Sequence, residues 1–175
     1  MRNARLGVKA ALVALALVAT SATARGEEGF TDPFAYCRAV GTIDAPDARW
    51  RGPAVPKAVA RGLQRALGVA PSEPLEPFER GTSWRCMDGA VYACNVGANL
   101  PCSAKPSTDP QPNEGMRTWC KENPGSDFIP MYITGHDTLF DWSCDGESPK
   151  RGRQISQLDA RGFVANIWHR LTPSE

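Results

Sequence analysis

The sequence predicts an α+β fold: mostly antiparallel β sheet or a small barrel, with two short helices, stabilised by disulfides. Three observations predict it. An Asp88-Gly89 pair lies between two strand-like runs. Residues 56–67 carry a clear helical period. Six cysteines follow a segment that reads as an export signal.

The export segment sets the chemistry of the rest. Arg2, Arg5 and Lys9 make a basic start, residues 10–19 are an uncharged apolar run, and Ala22-Thr23-Ala24 matches an A-x-A cleavage site. A membrane anchor is the competing reading. Ten helical residues cover about 15 Å, roughly half the hydrocarbon core. Residues 1–24 are therefore expected to be a cleaved signal peptide. Residues 25–175 are expected to be one mature domain: an irregular entry, a helix and a Pro-rich connector over 25–82, then a β-rich body over 83–175. The whole chain carries 20 Lys+Arg against 19 Asp+Glu, a net +1. Removing three basic residues takes +1 to −2 (1 − 3), so no broad basic field remains for nucleic acid or an anionic membrane. The expected location is the periplasm or the exterior, soluble and without stable membrane insertion.

Cys37, Cys86, Cys94, Cys102, Cys120 and Cys144 all follow the cleavage site. An even number in an oxidising compartment reads as three disulfides. Zinc sites favour C-x₂₋₄-C pairs, and none is present, so no metal and no cofactor is expected. Cys102–Cys120 is the expected pairing, because a loop cysteine would face a cysteine on the next helix.

Over 56–67, Pro56 suits a first-turn position and Val59, Leu63 and Leu67 recur every four residues. Gly68 fits the residue after the helix, while Gly62 inside it costs about 1 kcal/mol against Ala unless something approaches closely. Pro71, Pro74 and Pro77 make a stiff connector. A second short helix is expected over 113–122, with Met116, Trp119 and Cys120 on one face and Pro124 beyond its end. Ile129–Thr134, Thr138–Ser143, Arg151–Leu158 and Phe163–Leu171 read as strands.

The hairpin is the sharpest local prediction. With Asp88-Gly89 as a two-residue turn, Met87 opposes Ala90, Cys86 opposes Val91, Arg85 opposes Tyr92, Trp84 opposes Ala93 and Ser83 opposes Cys94. Side chains alternate along a strand, so Cys86 and Cys94 point to opposite faces and should not bond each other. Trp84 and Cys86 are expected to face the core. Arg85 and Tyr92 then share the other face, expected to be exposed, as a candidate binding pair. The loop Cys94–Cys102, with Asn95 and Asn99 as further candidate binding residues, suits ligand capture and suits a tight structural turn equally. Trp84-Arg85-Cys86-Met87-Asp88-Gly89 is echoed, one residue shorter, by Trp142-Ser143-Cys144-Asp145-Gly146. A duplicated hairpin unit and convergent use of the same residue types are both open readings.

No nucleophile elbow, zinc-protease, P-loop or dinucleotide motif occurs. The two histidines, His136 and His169, would need to converge with a carboxylate to share a role. No catalytic residue is assigned.

Asp32-Pro33-Phe34-Ala35-Tyr36-Cys37, Val40-Gly41-Thr42-Ile43-Asp44, the Ser83–Gly89 run, Ala93–Cys102 and Asp159-Ala160-Arg161-Gly162-Phe163 together resemble a group of exported bacterial proteins of unknown function. The resemblance implies export and a shared fold. Trp84-x-Cys86-x-x-Gly89 is similar to the aromatic-x-Cys-x-x-Gly motif of periplasmic inhibitors of c-type lysozyme. That family's inhibitory Ser-Gly loop has no counterpart here.

The function expected on these grounds is a non-catalytic periplasmic binding or envelope-associated module. Its partner would be a periplasmic protein or an envelope glycan. The alternatives are a small periplasmic hydrolase acting on envelope polymers or a lysozyme-inhibitor-like protein.

Overall fold

A computed structural model describes residues 29–95 and 101–173. The expected signal segment and cleavage site lie outside the described residues. So does Asn99, with most of the loop that follows Asn95.

The fold is α+β with three disulfides, as expected. Five α-helices stand where two were expected, two antiparallel sheets are small, and no closed barrel forms among the described residues. The elements fall into two units of similar order, each with helices followed by a hairpin. The first unit runs α1 (Pro33–Val40), α2 (Lys57–Ala66), α3 (Glu76–Gly81), then the hairpin β1 (Thr82–Met87) and β2 (Ala90–Asn95). The second runs α4 (Glu114–Glu122), α5 (Met131–Thr134), then the hairpin β3 (Phe140–Asp145) and β4 (Ser148–Gln154); α3 has no counterpart there. A 3₁₀ turn (Ala165–Ile167) and β5 (His169–Leu171) close the chain, with β5 adding to β2.

Local chemistry explains the ends of these elements. Asp32 caps α1 by accepting from Ala35 N–H at 2.6 Å, and Asn113 caps α4 by accepting from Met116 N–H at 2.8 Å. The first hairpin has the expected register at every pair from Ser83↔Cys94 to Met87↔Ala90. Its turn places Asp88 at φ 51° and Gly89 at φ 75°, the positive values a two-residue turn of this kind requires.

The disulfides tie each unit's first helix to its first strand. Cys37–Cys86 joins α1 to β1 and Cys120–Cys144 joins α4 to β3, while Cys94–Cys102 closes the loop after β2. All six cysteines are paired. The expected Cys102–Cys120 pairing is overturned. Cys120 faces inward from α4 onto the strand beneath it, and Cys102 is drawn back to β2.

The parallel between the units extends beyond the hairpins. Tyr36-Cys37 on α1 matches Trp119-Cys120 on α4, an aromatic residue before the bonded cysteine in each case. Cys37 Sγ lies 3.9 Å from the carbonyl oxygen of Arg85, and Cys120 Sγ lies 3.9 Å from that of Ser143, the residue before the strand cysteine in each unit. A flanking segment runs along the first strand both times: Cys86 N–H donates to Ile43 O at 3.1 Å and Cys144 N–H to Ser126 O at 2.8 Å. The hairpin turns also coincide. Asp145 still pairs with Ser148, so Trp142 stands four residues before its turn, as Trp84 does. The apparent missing residue in the sequence echo is a shift of the Asp-Gly pair relative to the turn.

Three strand expectations change. Residues 131–134 are helical, not extended: Ile129 donates its N–H to Trp142 O at 2.7 Å, but Pro130 has no N–H with which to continue along β3. Pro130 takes the cap position of a single helical turn instead. β4 is shifted earlier than expected, and Leu158 makes only an isolated bridge to Val164. Of Phe163–Leu171, only the last three residues form a strand.

The main core lies between the inner face of the β1–β2–β5 sheet and helices α1 and α2. Tyr36, Val59, Leu63, Trp84, Val91 and Leu171 meet there. Tyr36 packs edge-to-face on Phe30, Trp50 and Trp84, each ring centroid 5.8 Å away. Gly62 is explained by close approach: a Cβ there would sit 3.0 Å from Leu171 Cδ1. The second unit has its own core of Met116, Cys120, Ile129, Trp142 and Cys144.

Candidate binding cleft

The face expected to bind is covered. Trp84 and Cys86 face the core as expected, which sends Arg85 and Tyr92 to the opposite side of the hairpin. That side is not solvent. The chain returns across it as residues 159–168, and Arg85 is 0% exposed. Arg85 Nη2 donates to Asp159 Oδ2 in a buried ion pair. Its guanidinium carbon lies 4.4 Å from the Phe163 ring centroid and 4.3 Å from that of Trp168. Tyr92 is half-buried against the same cluster, beside the Cys94–Cys102 bridge. Asn95 ends β2, and its Nδ2 donates to Thr82 Oγ1 at 3.4 Å. The expected exposure of Arg85 is therefore corrected: the arginine is a core residue of a second, polar layer.

Electrostatics support that reading. Burial would raise the Asp159 carboxyl, but hydrogen bonds from Arg85 and from the N–H groups of Arg161 and Phe163 outweigh it and hold it below the ordinary range. Outside this layer, Asp44 accepts from Arg161 and Lys105 at the surface, and the Arg161 hydrogen bond lowers its carboxyl. Asp47 is lowered to about 2 by its paired hydrogen bonds from Arg49. The Asp44–Arg161 pair ties the entry segment to the closing segment, whereas the Asp47–Arg49 pair is local to the entry segment. None of these residues lines the cavity beside α5.

A concave site lies among the described residues where the second unit meets the closing segment. In the first unit, the helix that follows a proline cap, α2, runs ten residues and lays Val59 and Leu63 on the Trp84 cluster. In the second, the helix that follows the proline cap, α5, ends after four residues at Gly135. A cavity of about 660 Å³ opens beside it, within the usual range for ligand sites. Ile129, Leu139 and Trp142 line its buried part, and Val164 and Ile167 of the closing segment form a wall.

Its rim is apolar and uncovered. Phe128, Met131 and Ile155 line the mouth and are 65%, 40% and 50% exposed. Tyr132, next to Met131, is 71% exposed and makes an edge contact with Trp119 at 6.2 Å. Among the described residues, Leu67 is the one other large apolar side chain left exposed, so this surface is a patch and not scatter.

A few polar groups share the lining: His136, Asp137, Asp141 and Asn166. Arg153 donates to Asp141 at 3.4 Å. Asp137 makes no ion pair among the described residues. His169 does not join them; it lies on β5, opposite Ala93. The two histidines therefore do not converge. No group of three or more potential metal ligands occurs among the described residues. No helix among them is long and apolar enough to cross a membrane.

None of the cleft residues was singled out for binding from the sequence. The available signal was Pro130 inside a supposed strand, followed so soon by Gly135 that only one helical turn fits between them. Compared with family models, with curated proteins and with solved structures, the chain matches none of them.

Proposed function

We propose that this protein is an exported, non-catalytic binding module that holds an apolar ligand or partner segment in the cleft between α5, the start of β3 and residues 164–167. The observation that carries this reading is the clustering of Phe128, Met131 and Ile155, exposed, around one cavity. Leaving such a patch in water is unfavourable at about 25 cal/mol per Å² of apolar surface, and an occupant would recover that free energy. Three disulfides and the basic, then apolar, then A-x-A pattern of residues 1–24 support export to the periplasm.

Affinity capture from a periplasmic and envelope extract tests it. The native chain and a Met131→Asp, Ile155→Asp variant are compared as baits. A species retained by the native chain and lost with the variant is expected. Identical retained sets would remove the cleft from the function.

The hydrolase alternative has one observation in its favour: His136, Asp137 and Asp141 line the same cavity. It requires turnover of an envelope polymer that His136→Ala and Asp137→Asn abolish. Turnover of that kind would replace the binding-module reading.

A further inference from the structure

Resting on the binding-module reading, we infer that the Arg85–Asp159 ion pair positions one wall of the cleft, so that seating of the closing segment and occupancy of the cleft are coupled.

The closing segment has two faces. One carries Asp159, which accepts from Arg85, and the rings of Phe163 and Trp168, which hold the Arg85 guanidinium. The other carries Val164, Asn166 and Ile167, which line the cavity. The faces are not independent. Ile167 lines the cavity and also packs on the buried cluster of Phe163, Trp168, Cys94 and Cys102. Val164 follows Phe163 directly in the chain. Close-packed side chains transmit displacement, so a shift of the two rings off Arg85 moves the wall of the cleft with them.

Among the described residues, the backbone of 157–168 bonds only to itself. Asp159 N–H donates to Phe163 O at 2.9 Å, Ala165 N–H to Gln157 O at 2.8 Å and Trp168 N–H to Ala165 O at 3.4 Å. Asp159 Oδ1 accepts from the N–H groups of Arg161 at 2.8 Å and Phe163 at 3.1 Å. Side chains alone therefore fasten the segment to the rest of the fold, until β5 joins β2 at His169. A segment held in this way opens as a unit.

Two ion pairs fasten it. Asp44–Arg161 is exposed on both sides and contributes little in water. Arg85–Asp159 is buried on both sides, and breaking it leaves a charge without compensation unless the segment lifts to rehydrate it. Asp159 uses one oxygen on the segment's own N–H groups and the other on Arg85, which ties the segment's internal turn to the first hairpin. An occupant packed on Val164 and Ile167 favours the seated segment, and the seated segment supplies that occupant's wall. The coupling is reciprocal.

The probe is the apolar dye 1-anilinonaphthalene-8-sulfonate, titrated by fluorescence into the folded full chain, with Met131→Asp as the control that places it in the cleft. Asp159→Asn is the test, because an amide has one acceptor oxygen where the carboxylate uses two. It should weaken dye binding about fivefold or more, the lower end of usual coupling between sites, although Asp159 is not part of the cleft lining. Arg85→Met should weaken binding similarly. The two changes together should not multiply, because both release the same fastener.

The reverse effect is one that lost stability alone would not produce. Saturating dye should slow hydrogen exchange at the N–H groups of Arg161 and Phe163, which face Asp159 and not the cleft. The slowing should exceed that at Leu63, whose buried helical amide follows global opening, and should vanish in Met131→Asp. This measurement needs neither an Arg85 nor an Asp159 variant, so it decides even where those changes prevent folding.

Dye bound in the cleft with equal affinity in the native chain and Asp159→Asn, or with no selective slowing at Arg161 and Phe163, would overturn the coupling and leave the cleft reading standing. Dye binding that ignores Met131→Asp, or no dye binding, would overturn both.

Discussion

Arg85 and Asp159 lie 74 residues apart and form one buried ion pair, with Arg85 held against Phe163 and Trp168. The pair fastens the closing segment to the back of the first hairpin. Burial has removed both charges from water, so each depends on the other. Arg85 Nε and Nη1 have no hydrogen-bond partner among the described residues, which makes Asp159 the main compensation for that charge.

Truncating either partner should therefore be severe. Arg85→Ala leaves the Asp159 carboxylate buried and opens space between two rings, and a loss of about 3–5 kcal/mol is expected. Arg85→Met paired with Asp159→Asn fills the space without a charge and should lose much less than the sum of the two single changes. Urea unfolding of the four proteins in a double-mutant cycle measures this. Additive losses would show that the pair does not couple.

Acid should unfasten the same segment. The folded Asp159 carboxyl lies below its ordinary value, so its contribution is present above about pH 4, the unfolded value, and is lost as pH falls through the folded value. Urea midpoints should be nearly flat from about pH 7 to 5 and fall below about pH 4. Asp44 and Asp47 are lowered as well and lose stabilisation over the same acid range. The part due to Asp159 is the difference between the native curve and that of Asp159→Asn, and that difference should shrink with acidification. A constant offset between the two curves would assign the acid loss to other groups.

Gly62 offers a test of close approach. Alanine is favoured over glycine by about 1 kcal/mol in a helix interior. Here the added Cβ would meet Leu171 Cδ1 at 3.0 Å, with Leu171 Cβ and Cγ at 3.5 Å. Leu171 is held in β5 by pairing with Val91, so it has little room to withdraw. Gly62→Ala should destabilise by about 1 kcal/mol despite its better propensity. Adding Leu171→Val should recover part of that loss, as read by thermal unfolding.

The disulfides should rank by the loops they close. Cys37–Cys86 spans 49 residues, Cys120–Cys144 spans 24 and Cys94–Cys102 spans 8. In the chain-entropy model these correspond to about 4, 3.5 and 2.5 kcal/mol. Replacing each pair by alanines should reproduce that order in urea unfolding. Peptide mapping of the oxidised protein should recover these three pairs; a Cys102–Cys120 linkage would contradict the structure.

Much of the local structure was legible in the sequence because short-range physics decides it. The Asp88-Gly89 turn determined the register of the first hairpin, since only that turn lets alternating runs pair without a bulge. The same alternation placed Trp84 with Cys86 and kept Cys86 from Cys94. The Val59 and Leu63 period, bounded by Pro56 and Gly68, determined α2. What tertiary structure decided is which surfaces remain in water. Alternation separates two faces of a hairpin but says nothing of what returns to cover them. Arg85 went into a buried layer because residues 159–168, far along the chain, cross behind it. The Cys102–Cys120 expectation failed for the same reason: Cys120 meets Cys144 because α4 packs on the β3–β4 hairpin, not because of sequence distance. The cleft was the least legible, because it arises from an element cut short: α5 starts at Pro130 and stops at Gly135, and the residues that wall it, Val164 and Ile167, come from far along the chain.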